Sequence, residues 1–136
     1  MRNILIVEDN IENHNLIKEV LEKEHYKVLS SYNGTDVIQT LENEKVDLIL
    51  LDLMLPKING EEIVKMVKNI PIIVISAKIS PEDKVNVLLN GANDYITKPF
   101  NVEELLARVK VQLRIENKNE KNEELKYKGT SWKTRR

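Results

Sequence analysis

The sequence predicts an α/β fold in which a doubly wound parallel sheet of five strands is flanked by helices. Two observations carry this expectation. The aliphatic runs Ile4–Val7, Leu48–Leu51 and Ile72–Ile75 contain no alternating polar residue. Strands that are apolar on both faces belong inside a parallel sheet covered on both sides. Between the runs lie stretches with apolar positions at helical spacing, each closed by a turn signal, and strands alternating with helices in this way build βαβ units.

The elements follow in order. The first strand is Ile4–Val7. Asn10 is placed to cap the next helix, whose apolar face of Leu16, Ile17, Val20 and Leu21 runs to about Glu24. His14 and His25 stand among polar residues, with no second histidine at metal-ligand spacing, and are expected on the surface. Val28-Leu29 form a short second strand, closed by Ser30-Ser31 and the turn pair Asn33-Gly34. Thr35–Glu44 reads as the second helix, with Val37, Ile38 and Leu41 inward. Leu48–Leu51 is the third strand, and Pro56 and Gly60 lead to a third helix with the stripe Ile63, Val64 and Val67. Pro71 precedes the fourth strand, Ile72–Ile75. Ser80 as cap and Pro81 at the first position open a fourth helix, which carries Val85, Leu88 and Leu89 and stops at Asn90-Gly91. The fifth strand is Asp94–Thr97. The last helix starts after Asn101, carries Val102, Leu105, Leu106, Val109 and Leu113, and is expected to end near Asn117.

In open parallel sheets, ligands gather at the carboxyl ends of the strands. Those ends here are Glu8-Asp9-Asn10, Asp52, Ser76-Ala77 and Lys98-Pro99-Phe100. Taken singly, Asp52 is a loop or capping aspartate, Ser76 a cap, Lys98 a surface lysine and Tyr95 a strand aromatic. Taken together, they put three carboxylates, a hydroxyl and an ammonium on one edge. Crowded carboxylates repel one another, and Mg2+, which prefers oxygen ligands, resolves the conflict. Asp9 and Asp52 are the expected direct ligands, with Glu8 acting through water. Asp52 is then a candidate nucleophile toward phosphorus. Lys98 would set a positive charge against one phosphoryl oxygen and Ser76 a hydroxyl against another. Lys98-Pro99 is a candidate cis bond, since such bonds are essentially a proline phenomenon.

In this order, the acidic pair, the acceptor aspartate, the serine and the Lys-Pro resemble a two-component response regulator receiver domain over about Arg2 to Glu116. The segment Gly91–Phe100, followed by Glu103–Val109, is similar to the OmpR/PhoB branch of DNA-binding regulators. The resemblance implies the flavodoxin-like (βα)5 receiver fold with strand order 2-1-3-4-5, and the Met54 main-chain carbonyl as a further magnesium ligand. It also implies a sensor histidine kinase as phosphodonor and a switch in which Tyr95 fills the space behind Ser76. In that branch the domain dimerises through the fourth and fifth helices and the fifth strand. Lys84 would then pair with Glu104, and Asp94 with Arg108, across a two-fold axis. Asn93 departs from the pattern, because a second acidic residue is common there.

Composition sets the outer bounds. At 136 residues, with a net charge of −1 and no cysteine, the chain suits one soluble domain without a disulfide or a thiolate metal site. No apolar run reaches the roughly 20 residues of a membrane span, and the amino terminus lacks a signal-peptide pattern, so a cytoplasmic, membrane-free protein is expected. Residues 1–114 hold 14 Lys/Arg against 18 Asp/Glu, whereas residues 115–136 hold 7 against 4. An acidic body argues against direct nucleic-acid binding by the folded domain. Residues 1–117 are therefore expected to form the receiver domain, with 118–136 a polar linker. Leu125–Gly129 resembles the opening strand of an OmpR/PhoB-type winged-helix output domain that the chain is too short to contain, so DNA is expected as a partner only through that missing domain.

Three other functions meet obstacles or share the same site. A flavin-binding electron carrier would need a Ser/Thr/Gly-rich phosphate loop after the first strand, where Glu8-Asp9-Asn10 repels an anion. An aspartyl phosphatase needs a second aspartate two residues after the nucleophile, and Met54 stands there. A stand-alone receiver regulating a partner protein would have the same site and differ only in its output.

Overall fold

The computed structural model describes residues 1–77 and 80–127, with side chains as far as Arg114. Ten elements alternate along the chain: β1 (Asn3–Val7), α1 (Ile11–Lys23), β2 (Lys27–Ser31), α2 (Val37–Asn43), β3 (Leu48–Leu51), α3 (Gly60–Met66), β4 (Ile72–Ser76), α4 (Pro81–Leu89), β5 (Asp94–Thr97) and α5 (Val102–Tyr127). The five strands form one parallel sheet in the order β2-β1-β3-β4-β5. This is the doubly wound flavodoxin-like arrangement. The chain runs outward from β1 to β2, then returns past it to β3, so the ends of β1 and β3 flank the point where the direction of winding changes.

Alternation of side chains along each strand divides the aliphatic runs between two cores. Leu5, Val7, Ile49, Leu51, Ile72 and Val74 pack under α2, α3 and α4 with Val37, Ile63, Val64 and Val87. Ile4, Ile6, Leu48, Leu50, Ile73 and Ile75 face the other way and meet Ile17, Leu21, Leu105, Val109 and Leu113 of α1 and α5. β3 is buried at every position, which is why its sequence shows no alternation.

Caps define the helix starts. Asn10 accepts from the Asn13 N–H at 2.9 Å, Asn59 from Glu61 N–H at 2.9 Å, and Ser80 from Asp83 N–H at 3.1 Å. α1 ends at Lys23, and two residues on the exposed His25 holds φ of 68°, in a position glycine usually takes.

Several expectations need correcting. Leu16 of α1 and Ile38 of α2, expected on the inward faces, are exposed by 44% and 42%. His14 is not a surface residue but is fully buried, because it stands three residues before Ile17 on the face that also carries Leu21. On α4 the residue turned into the core is Val87, whereas Val85, Leu88 and Leu89 face solvent. Finally, α5 passes the expected end near Asn117 and continues to Tyr127. No glycine or proline interrupts the sequence between Pro99 and Gly129, and Glu, Lys and Leu are good helix formers. Leu125, Lys126 and Tyr127 thus lie in a helix and not in a strand, while residues 128–136 lie outside the described residues. Among the described residues, no helix is long and apolar enough to cross a membrane.

Candidate functional site

Each site residue is delivered by the end of a strand. β1 carries the chain to Glu8 and Asp9, β3 to Asp52, β4 to Ser76 and β5 to Lys98. Parallel pairing aligns these ends. Asp52 N–H donates to Val7 O at 2.9 Å and Lys98 N–H to Ser76 O at 3.1 Å, so the strand-end peptides are tied side by side.

Lys98 is the centre of the cluster. Its Nζ lies 2.7 Å from Glu8 Oε1 and 2.7 Å from Asp52 Oδ2. Both acids are buried, at 2% and 6% exposure. Burial alone would lower the Lys98 ammonium, but its hydrogen bonds to Asp52 and Glu8 outweigh that and hold it above its ordinary value. Glu8 goes up, because burial outweighs Lys98 and the Asn10 N–H, which favour its charged form. The Lys98–Pro99 peptide is cis.

The second oxygens are also engaged. Glu8 Oε2 accepts from Asn10 N–H at 3.1 Å, and Asp52 Oδ1 accepts from Met54 N–H at 2.9 Å. Asp9 is exposed. Ligand oxygens of Glu8, Asp9 and Asp52 all lie within 4.8 Å of one another. This all-oxygen donor set suits a hard divalent cation such as magnesium. A carboxylate has about four lone-pair sites, so the existing bonds leave acceptor capacity on each acid.

Ser76 is fully buried, and Tyr95 on the neighbouring strand is 9% exposed. Burial raises the Tyr95 phenol, Asp83 adds to the rise, and the Ser76 hydroxyl opposes it. The Lys84 ammonium stands 5.7 Å from the Tyr95 ring centroid, within cation–π range. The remaining charges of this face pair within the chain. Arg108 Nη1 is 2.8 Å from both carboxylate oxygens of Asp94, and its Nη2 is 3.1 Å from Glu104 Oε2. Asn93 uses its side-chain oxygen to accept from Ile72 N–H at 2.9 Å, tying β4 to the turn before β5.

One residue of the site escaped the sequence reading. His14 Nδ1 donates to the main-chain carbonyl of Glu8 at 2.8 Å, and its ring stacks on Tyr32 with centroids 4.1 Å apart. Burial pushes the His14 imidazole below its ordinary range. The signal was present: residues 14, 17 and 21 repeat at helical spacing, but polar neighbours on both sides disguised the inward face.

A family model described as response regulator receiver domain matches residues 4–110. The response regulator ArlR of Staphylococcus saprophyticus is 48% identical over 117 residues, covering 84% of this chain and 53% of the relative. ArlR of Staphylococcus aureus is 46% identical over the same length. The chain thus spans about half the length of the curated relatives it matches. Among solved structures, a CheY-like receiver domain protein from Methanospirillum hungatei superposes with a TM-score of 0.82 at 31% identity, covering 88% of this chain and 98% of that one. The beryllofluoride-activated receiver domain of Klebsiella pneumoniae RstA gives 0.78 at 33% identity, covering 83% and 99%.

Proposed function

Because the chain belongs to the response regulator receiver domain family of two-component signalling, we propose that Asp52 is its phosphoacceptor and that a sensor histidine kinase is the donor. The observation that carries this reading is the half-buried Lys98 ammonium, held 2.7 Å from both Glu8 and Asp52 where the strands end. An Asp52 carboxylate oxygen forms a bond to phosphorus as the P–N bond of the donor phosphohistidine breaks, and the imidazole leaves. Lys98 neutralises charge on the transferred group, and the Ser76 hydroxyl donates to another of its oxygens. Asp9, Asp52 and the Met54 carbonyl would hold magnesium, with Glu8 acting through water. When bound, the ion offsets the repulsion among carboxylates and phosphoryl oxygens. The domain's only chemistry on this reading is gain and loss of its own phosphoryl group, in the cytoplasm.

Output follows from the face made by α4, β5 and α5. Phosphorylation adds nearly two negative charges at one point. Ser76 answers that charge, and Tyr95, already buried beside it, fixes the new arrangement. Two features support dimerisation there. Val85, Leu88 and Leu89 form an apolar stripe exposed by 53%, 45% and 81%, and it is flanked by the charges of Lys84, Asp94, Glu104 and Arg108. In the dimer Lys84 pairs with Glu104, and Asp94 with Arg108, between copies. The face then controls a transcriptional output domain in the longer parent protein, by likeness to the OmpR/PhoB branch.

The test is labelling with acetyl phosphate, read by intact mass. Wild type gains one phosphoryl group only when magnesium is present, and Asp52→Asn gains none. Equal labelling of the two proteins would remove Asp52 from this role.

A further inference from the structure

We propose that His14 is a positioning residue for the acidic pair, fixing the peptide between Glu8 and Asp9 and through it the reach of the Asp9 carboxylate toward Asp52. This rests on the phosphoacceptor reading above, in which Asp9 and Asp52 hold the cation.

The argument begins with the turn from β1 into α1. Glu8 N–H is bound to Ser31 O at 3.0 Å, which fixes the near side of the residue. The carbonyl on its far side belongs to the same peptide unit as Asp9 N–H, so whatever holds that carbonyl sets the plane from which Asp9 departs. Its partner is His14 Nδ1 at 2.8 Å. A carbonyl only accepts, so Nδ1 carries the proton. The neutral ring then leaves Nε2 as a bare acceptor, and that atom is buried without a hydrogen bond.

The ring has little freedom to turn away. His14 is fully buried, its own N–H is bound to Asn10 O at 2.9 Å, and one ring face is covered by Tyr32 at an interplanar angle of 18°. A stacked aromatic partner resists rotation of the imidazole. An apolar side chain of similar size would avoid the orphaned Nε2, but it would leave the Glu8 carbonyl without its donor. The orphan Nε2 is therefore a cost borne at this position for the sake of Nδ1. Outer residues that orient a metal-binding segment are worth roughly 10–100-fold in metal affinity or activity.

Two substitutions separate the donor from the volume. His14→Leu keeps apolar bulk and loses the donor. His14→Asn places its side-chain amide nitrogen where Nδ1 stands and keeps the donor, while giving up ring packing. Magnesium binding is followed by amide NMR titration, labelling by acetyl phosphate at subsaturating magnesium, and folding by thermal midpoint. The expected result is that His14→Leu binds magnesium about ten-fold more weakly and labels correspondingly slowly, whereas His14→Asn stays within about three-fold of wild type although its midpoint also falls. Magnesium affinity unchanged in His14→Leu, or a loss in His14→Asn equal to that in His14→Leu, would overturn the assignment and leave His14 as packing alone. Failure of wild type to label would instead end the phosphoacceptor reading, and the magnesium comparison would still decide the role of His14.

Discussion

A single methyl group at Gly60 would meet the main chain of Asp52 and Leu53 directly. A Cβ there would stand 2.6 Å from Leu53 Cα and 2.9 Å from the main-chain oxygens of Asp52 and Leu53. Main-chain atoms cannot swing aside as a flexible side chain can, so α3 must retreat or the segment after Asp52 must move. Gly60→Ala is expected to cost roughly 1–3 kcal/mol, measured by denaturant unfolding, and to slow labelling of Asp52. Tyr95 offers a second test at this scale, in pH. Its folded phenol ionises above the ordinary 10.0 because burial disfavours the phenolate. The folded state therefore favours the protonated form. That contribution is complete below pH 10.0 and is lost as pH rises through the higher folded value. Stability measured from neutral into alkaline solution should fall less steeply for Tyr95→Phe than for wild type. Among single residues, the convergence of Glu8, Asp9, Asp52 and Lys98 was legible because a strand end fixes where each one emerges. The direct Glu8–Lys98 contact was not, since it depends on side-chain reach across two intervening strands. Nor was the burial of His14, whose type argued for the surface while its spacing argued for the core.

Helix α4 shows where an apolar stripe misleads. Val85, Leu88 and Leu89 have the spacing of an inward face, yet Val87 is the residue that reaches the core. Apolar spacing identifies a helix and one of its faces, but it does not say whether that face meets this domain or another molecule. Likewise Asp94 and Arg108 were expected to pair only between copies, and in the single chain they already form a two-contact bridge at 2.8 Å. Any pairing between copies must exchange with that bridge, which makes the net gain small, in the range of about 0–1 kcal/mol for an exposed pair. Sedimentation with beryllofluoride and magnesium tests the element as a whole. Wild type should move toward a dimer, Arg108→Glu should remain more monomeric while still binding the mimic, and adding Asp94→Arg should restore part of the shift. A wild type that stays monomeric with the mimic well above micromolar concentration would remove the dimer and leave the phosphoacceptor standing. The extent of α5 was missed for a different reason. Loss of the apolar stripe marks where a helix leaves the core, not where its backbone stops.

The whole molecule should report ligand binding through its stability. Beryllofluoride with magnesium binds the folded site and not the unfolded chain, so saturation at a hundred times Kd adds about 2.7 kcal/mol. The thermal midpoint should rise accordingly in wild type and stay flat in Asp52→Asn; a rise in both would place the mimic elsewhere. The five-stranded architecture was readable at this scale because the runs Ile4–Val7, Leu48–Leu51 and Ile72–Ile75 are apolar throughout, and that pattern has few explanations in a chain of this length. The strand order was known only through family likeness, since periodicity does not say which strands are neighbours. The layer under α2, α3 and α4 is complete once the chain reaches Tyr95, but the opposite layer lacks Leu105, Val109 and Leu113 until α5 is made. A nascent chain emerging from the ribosome therefore presents Ile6, Leu50, Ile73 and Ile75 half covered, by α1 alone, until nearly all of the first 113 residues are out. Synthesis arrested near Asn101 should yield a species that binds chaperones and aggregates, whereas arrest beyond Arg114 should release a domain able to close on its own.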